Sequence, residues 1–355
     1  MEIRRNGTYS DGHAVEELIL TNKNKMRVTL LEIGAAVKAI EIPDENGKYT
    51  DVVLGFDDIA SYEDNYLSLG ANVGRVANRI ENARFTLNGR EYALTPWKKP
   101  GKPALHSFPD CYSERRFSYV FRSFPEGEGI EFSLFSPHMD QGYPGALTLV
   151  IRYLLTDENE LRITYEAEST EDTLFNMTNH SYFNLNGAGS GDTLRHLLSI
   201  DSHRIAFYGR NLCPRGGLRE ISGTAYDFRR EKEVGADLDS SDPEIRSHFG
   251  YDVAYEVNGG RKRSEGNRVA RLVGDRSKIT LEVLTDMPCL QLYTANRFPK
   301  NFIGKGGVAY CDHGAVCLEP GFFANAINVP GYEKPILRKN ERTSYRIVYR
   351  FSKGE

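Results

Sequence analysis

The chain is 355 residues long, 40% hydrophobic and 26% charged, with a formal net charge of −4. That balance belongs to a soluble globular chain with a substantial core, and it leaves no basic footprint for nucleic acid. The compact basic run Arg261-Lys262-Arg263 follows Gly259-Gly260, is closed by Ser264-Glu265, and reads as a solvated turn. The N-terminal Met1-Glu2-Ile3-Arg4-Arg5 has no apolar run of the secretory kind, and no stretch approaches the roughly 18 apolar residues of a membrane span. Cys111, Cys213, Cys289, Cys311 and Cys317 are odd in number and lack CxxC spacing, so neither a disulfide framework nor a zinc site is suggested. The Asn-x-Ser/Thr triplets at Asn6, Asn176 and Asn179 matter only in a secreted protein. A cytoplasmic location is expected.

The dominant sequence period is two. Alternating apolar runs fall at 27–42, 117–124 and 130–135, separated by turn signals such as Glu45-Asn46-Gly47 and Leu87-Asn88-Gly89. Next, Leu147, Leu149, Ile151, Tyr153 and Leu155 alternate with Thr148, Val150, Arg152 and Leu154, and Asp157-Glu158-Asn159-Glu160 supplies a turn. Leu161, Ile163, Tyr165 and Ala167 follow, which predicts a β-hairpin with one wet face. Asp242-Pro243-Glu244-Ile245-Arg246 opens a short helix, with Asp as cap and Pro in the first turn. A turn at Asn258-Gly259-Gly260 precedes further strand runs at 269–273, 279–284 and 345–351. Many short strands without alternating helices predict an all-β fold, a large antiparallel β-sandwich with few short helices. Without a linker or fixed repeat, residues 1–355 read as one domain.

Four segments concentrate chemistry. Gly70-Ala71-Asn72-Val73-Gly74-Arg75-Val76-Ala77-Asn78-Arg79 combines close-approach glycines with the donors of Asn78 and Arg79; a surface turn anchored by Arg is the plainer reading. His106 follows a Pro/Gly/Lys-rich loop, where a structural histidine is the default. Asn176-Met177-Thr178-Asn179-His180-Ser181-Tyr182-Phe183-Asn184 places His180 among amides, hydroxyls and rings, as either a polar ligand site or a satisfied core network. Glu319 follows Val316-Cys317-Leu318 and is either a buried, perturbed acid or an exposed strand edge. Two weaker signals are Asp252 beside Gly250-Tyr251, and Gln291 with Tyr293 on one strand face.

Together and in this order, the segments resemble the aldose 1-epimerases, the galactose mutarotase family. The resemblance runs through Asp51–Phe56, Gly74–Ile80, Asn88–Leu94, Gly142–Gly145, Thr178–Leu185, Gly250–Asp252, Leu281–Val283, Gln291–Thr294 and Cys317–Glu319. It implies a large β-sandwich, no metal or organic cofactor, and a monosaccharide as partner, on a monomer or homodimer. It further implies that His180 is the general acid, Glu319 the general base, and His106 a second active-site histidine. Asn78, Arg79, Asp252 and Gln291 match substrate-binding positions. The chain departs from the family pattern at Ser107-Phe108, where two glycines are usual, and across 110–117. It departs again at Val253-Ala254 and at 320–325.

The implied activity exchanges the α and β anomers of a free aldose of the glucose or galactose type by opening and reclosing the C1–O5 bond. A base takes the C1 hydroxyl proton and an acid delivers one to O5. Ordinary pKa values, roughly 4.3 for Glu and 6.5 for His, would put both groups in their working states without large shifts. Rival readings are a hexose-phosphate epimerase, for which Arg75, Arg79, Arg115 and Arg116 would hold a dianion, and a non-catalytic sugar-binding protein. A glycosidase using Asp252 and Glu319 leaves His180 without a part.

Overall fold

A computed structural model describes residues 1–208, 212–257 and 267–354, so the basic run at 261–263 and the turn at 258–260 lie outside the described residues. The hairpin read from the alternation is present as Leu147–Thr156 paired antiparallel with Glu160–Ser169. Ile151 faces Tyr165 and Tyr153 faces Ile163 across it, all buried. On the wet face Arg152 bridges Glu131 and Glu166 on the two flanking strands. Thr156 Oγ1 closes the turn by accepting from the amides of Glu158 and Glu160.

This hairpin lies within a nine-stranded antiparallel sheet ordered Ser118–Phe124, Gly127–Ser136, Leu147–Thr156, Glu160–Ser169, Arg342–Lys353, Ile279–Thr285, Asn267–Val273, Leu197–Ile200 and Lys232–Glu233. Two five-stranded antiparallel sheets accompany it. One runs in chain order through Glu2–Thr8, Ala14–Thr21, Arg27–Leu31, Val37–Pro43 and Tyr49–Asp51; the run at 27–42 is thus two strands. The other is ordered Pro214–Glu220, Arg204–Tyr208, Asp252–Glu256, Cys289–Tyr293 and Cys317–Gly321. The inward faces of all three share one apolar cluster that includes Leu18, Val28, Ile151, Tyr165, Leu292, Leu318 and Tyr349, the layered all-β arrangement expected. The short helix is Pro243–His248, capped by Asp242, whose carboxylate accepts from the amides of Glu244 and Ile245. None of the described helices is long and apolar enough to cross a membrane. Asn176 and Asn179 are buried, which removes both as surface acceptors.

Two buried polar knots tie this framework to the segments of interest. Asn72 donates to Tyr153 Oη at 2.8 Å and to the Ala35 carbonyl at 2.7 Å, and accepts from Tyr165 Oη at 2.7 Å. Asn72–Val73 pairs in turn with Thr178–Asn179, immediately before His180. Gly70, at φ +69°, passes so close to Val37 that a Cβ there would lie 2.1 Å from its carbonyl oxygen.

The second knot is Arg75, fully buried. Its guanidinium donates to the carbonyls of Pro144 and Gly145, to Ser136 Oγ, to Thr173 Oγ1 and to Tyr112 Oη. Removing it strands these acceptors in a site without water access. Arg75→Met is expected to lower the free energy of unfolding in urea by about 3–5 kcal/mol; a loss below about 1 kcal/mol would show that the acceptors find other partners.

Candidate active site

Three neighbouring strands form the floor of the site. The register sets Ala254, Gln291 and Glu319 in one row across Asp252–Glu256, Cys289–Tyr293 and Cys317–Gly321, with Asp252, Tyr293 and Cys317 in the next. Residues two apart share a face, so Asp252, Gln291, Tyr293, Cys317 and Glu319 project from the same side. Above this floor, His180 is held by its backbone: its amide donates to Ala71 O and its carbonyl accepts from Gly70 N.

The remaining groups arrive on a small pairing of Arg79–Ile80 with Ala104–Leu105. His106 N donates to Asn78 O at 3.0 Å, while Asn78 N donates to His106 Nδ1 at 3.2 Å. This reciprocal clamp fixes the tautomer, because Nδ1 accepts and the neutral ring carries its proton on Nε2. Ser107 stands where glycine is usual, with φ +63°, and its hydroxyl bonds both the amide and the carbonyl of Val76.

The seven residues singled out from the sequence meet in one cavity of about 200 Å³: Asn78, Arg79, His106, His180, Asp252, Gln291 and Glu319 all line it. His180 Nε2 lies 3.7 Å from Glu319 Oε2, and the His106 and His180 rings meet edge to face at 5.6 Å. Gln291 links the others. Its Nε2 donates to Asp252 Oδ1 at 2.6 Å, and its Oε1 accepts from Asn78 Nδ2 and from Tyr208 Oη, both at 3.2 Å. Arg79 Nη2 is 3.5 Å from Asp252 Oδ2. The segment after Glu319 is latched to the same loop, since Asn325 N donates to Arg79 O at 2.7 Å.

Several lining groups escaped the sequence reading. Trp97 and Tyr66 line the cavity beside Tyr182 of the His180 run, and Tyr208 braces Gln291 from behind while accepting the Ala254 amide. The exposed Tyr66 and partly exposed Trp97 lie in loops with no periodic pattern; the chain's lone tryptophan, after Pro96, was the available signal. Tyr182 stacks on His180 at 4.9 Å and holds its ring plane. Of the departures from the family pattern, none of 107–117, 253–254 or 320–325 lines the cavity. Of the arginines considered for a phosphate, Arg79 alone lines it. Arg75 is buried as described, Arg115 pairs with Asp110 and Asp140, and Arg116 pairs with Asp11.

Two surface clefts of about 340 and 490 Å³ are larger. In the first, Arg229, Arg268 and Arg271 are already paired with Asp227, Glu282 and Glu231; in the second, Arg297 stacks on Phe249.

Comparison with known proteins gives the same direction. The family profile described as aldose 1-epimerase matches residues 16–350. The chain belongs to the aldose 1-epimerase family. It is 34% identical over 345 residues to a galactose mutarotase of Rattus norvegicus, covering 97% of this chain and 96% of that one. It is also 34% identical over 344 residues to an aldose 1-epimerase of Escherichia coli K12, covering 96% of each. A crystal structure of an aldose epimerase homologue from C. elegans superposes with a TM-score of 0.85 at 31% identity, over 96% of this chain and 100% of that one. A galactose 1-epimerase from Lactobacillus acidophilus does so at 0.84 and 25% identity, over 100% and 99%. This family member is therefore an isomerase of aldose anomers.

Burial corrects one expectation about the pair. Desolvation pushes the Glu319 carboxyl up to about 8, with the nearby Asp252 charge adding to the effect and Arg79 opposing it. Desolvation likewise pushes His180 down to about 4, and holds His106 well below its ordinary value with help from His180 and Arg79. Both shifts favour the uncharged forms, a carboxylic acid beside a neutral imidazole, over a carboxylate facing an imidazolium.

A raised carboxyl pKa stabilises the fold below the unfolded-state value near 4.5, and that contribution is lost as pH rises through about 8. Glu319→Gln removes the dependence. Its free energy of unfolding relative to wild type, followed by urea denaturation, is expected to climb between pH 5 and pH 8.5, reaching a gain on the order of a few kcal/mol. A difference that stays flat with pH would show that Glu319 ionises normally in the folded protein.

Proposed function

We propose that this pocket interconverts the anomers of a neutral hexopyranose of the galactose or glucose type, with Glu319 as general base toward the C1 hydroxyl and His180 as general acid toward O5. The observation that carries this reading is the 3.7 Å contact between the two groups. O1 and O5 hang from the same carbon, so an acid and a base that serve both must lie side by side. A hydrolase, by contrast, sets its two carboxyls roughly 5–9.5 Å apart on opposite sides of the bond it breaks.

Glu319 accepts the O1 proton as His180 gives one to O5, the C1–O5 bond breaks, and C1 becomes an aldehyde. Rotation about C1–C2 presents the other face, and reclosure runs the transfers backward, which returns both groups to their starting states. The reacting state has its one proton on His180, whereas the empty pocket favours Glu319. Sugar hydroxyls that donate to the carboxylate stabilise its charged form and draw the pair toward that state. His106, clamped with its proton on Nε2, is a neutral donor to the ring oxygen or a neighbouring hydroxyl, and it steadies charge without itself becoming an acid. Arg79, Asn78, Gln291 and Asp252 offer a linked set of donors and acceptors for the remaining hydroxyls. Arg79 beside Asp252 adds no net charge, which fits a neutral sugar better than a phosphate ester.

Polarimetry of freshly dissolved α-D-galactose and α-D-glucose tests the assignment. Wild type should accelerate mutarotation, and Glu319→Gln should slow it by about 10³-fold or more while galactose still binds. Retention of wild-type rates would remove Glu319 from the mechanism. The profile of kcat/KM should form a plateau bounded near pH 4, where the pair gains a second proton, and near pH 8, where it loses its only one. Arg79→Ala should raise KM more than it lowers kcat. An unchanged KM would deny Arg79 a role in binding the ground state.

A further inference from the structure

Cys317 lies against the acid–base pair, and the reaction gives it no part. Its thiol is fully buried and shares a strand face with Glu319, two residues on, in the buried cluster that also contains Tyr182. One ligand atom each from His180, Cys317 and Glu319 falls within 4.8 Å of the other two. A triangle no larger than 4.8 Å on a side has a centre within roughly 2.8 Å of every corner, and contraction of a few tenths of an ångström brings those atoms to zinc-ligand distances of roughly 2.0–2.3 Å.

We propose that the pocket floor binds a thiophilic divalent cation of the Zn²⁺ or Cd²⁺ kind through His180, Cys317 and Glu319, and that this ion and the aldose exclude one another. Two observations carry this beyond proximity. The donor set is one nitrogen, one sulfur and one oxygen, a combination that suits zinc and its heavier congener and disfavours Mg²⁺ or Ca²⁺. Two of the three ligands stand on one strand and the third is a ring fixed by stacking, so little order has to be created on binding. Coordination forms metal–sulfur, metal–nitrogen and metal–oxygen bonds. Each ligand atom that carries a proton releases it to solvent as its bond to the metal forms. The ion is an inhibitor and not a cofactor. Only its exclusion of sugar rests on His180 and Glu319 being the reacting pair.

The test uses the full chain with the exposed Cys311 replaced by serine throughout, which removes the one thiol open to solvent among the described residues. Co²⁺ is the spectroscopic probe and Zn²⁺ the competitor. The expected result is one Co²⁺ per chain with a sulfur-to-cobalt charge-transfer band, displaced by Zn²⁺, together with reversible loss of mutarotation that galactose opposes and a chelator relieves. Cys317→Ser keeps the volume and should abolish the band and weaken Zn²⁺ inhibition by about tenfold or more, with metal-free mutarotation within about twofold of the parent. Cys317→Ala serves the same purpose if the serine variant does not fold. Binding without a sulfur band, or inhibition of the Cys317 variants as strong as that of the parent, overturns the site. Binding with the band but without inhibition overturns the exclusion of sugar. The band reads the site directly, so a protein that failed to turn over either sugar would contradict the proposed reaction and leave the metal result standing.

Discussion

Everything at the site depends on holding a carboxyl and an imidazole, both almost without water, at 3.7 Å from each other. Neither group reaches that position by itself. Glu319 is fixed by the register of a five-stranded sheet, and His180 by backbone hydrogen bonds to Gly70 and Ala71. The same exclusion of water pushes both toward their uncharged forms. A pair that holds one proton between two groups of displaced pKa is suited to a reaction that must move one proton out and one in and finish unchanged.

The rigidity behind that contact is polar as well as apolar. Tyr153 and Tyr165 lie on the inward face of the large sheet, yet their hydroxyls are spent on Asn72, and Asn72 sits in the strand that pairs with Thr178–Asn179. A purely apolar packing there would tolerate small slides of one layer over another. Three directed hydrogen bonds around one buried amide do not, because each slide would leave a buried donor or acceptor unpaired. The reciprocal bonds between Asn78 and His106 do the same on the opposite wall and also choose the ring nitrogen that carries the proton. Departures from the usual family residues after His106 are absorbed here: Ser107 takes a backbone conformation glycine would take freely, and its hydroxyl binds both polar groups of Val76.

The sequence disclosed what depends on period and on local residue type. The alternation over Leu147–Ala167 gave the hairpin and its buried face, and Asp242-Pro243 gave the helix start, because both are decided within a few residues. His180, Glu319, His106, Asn78, Arg79, Asp252 and Gln291 stood out through ordered resemblance, and the cavity gathers all seven. What stayed hidden is tertiary. Nothing adjacent to Tyr208 in the chain says that its hydroxyl braces Gln291, 83 residues on. Arg75 was counted only among the arginines a phosphorylated substrate would need, and its partners at 112, 136, 144, 145 and 173 appear only once the strands are assembled. The protonation of the pair was misjudged for the same reason, since desolvation is a property of the packed pocket and not of the residue.

Charge distribution then narrows the chemistry further. A phosphorylated sugar needs unpaired cations around its dianion, and among the described residues Arg79 is the only arginine lining the cavity, already facing Asp252. A glycosidic mechanism needs a second free carboxyl, but Asp252 is engaged by Gln291 and by Arg79. With that carboxylate committed to holding donors in place, Glu319 is left with an imidazole as its proton partner. An imidazole in contact with it can serve the second oxygen of the same carbon, but it cannot stand across the ring to activate water. The geometry that suits anomer exchange is therefore the one that disfavours hydrolysis of the bond next to it.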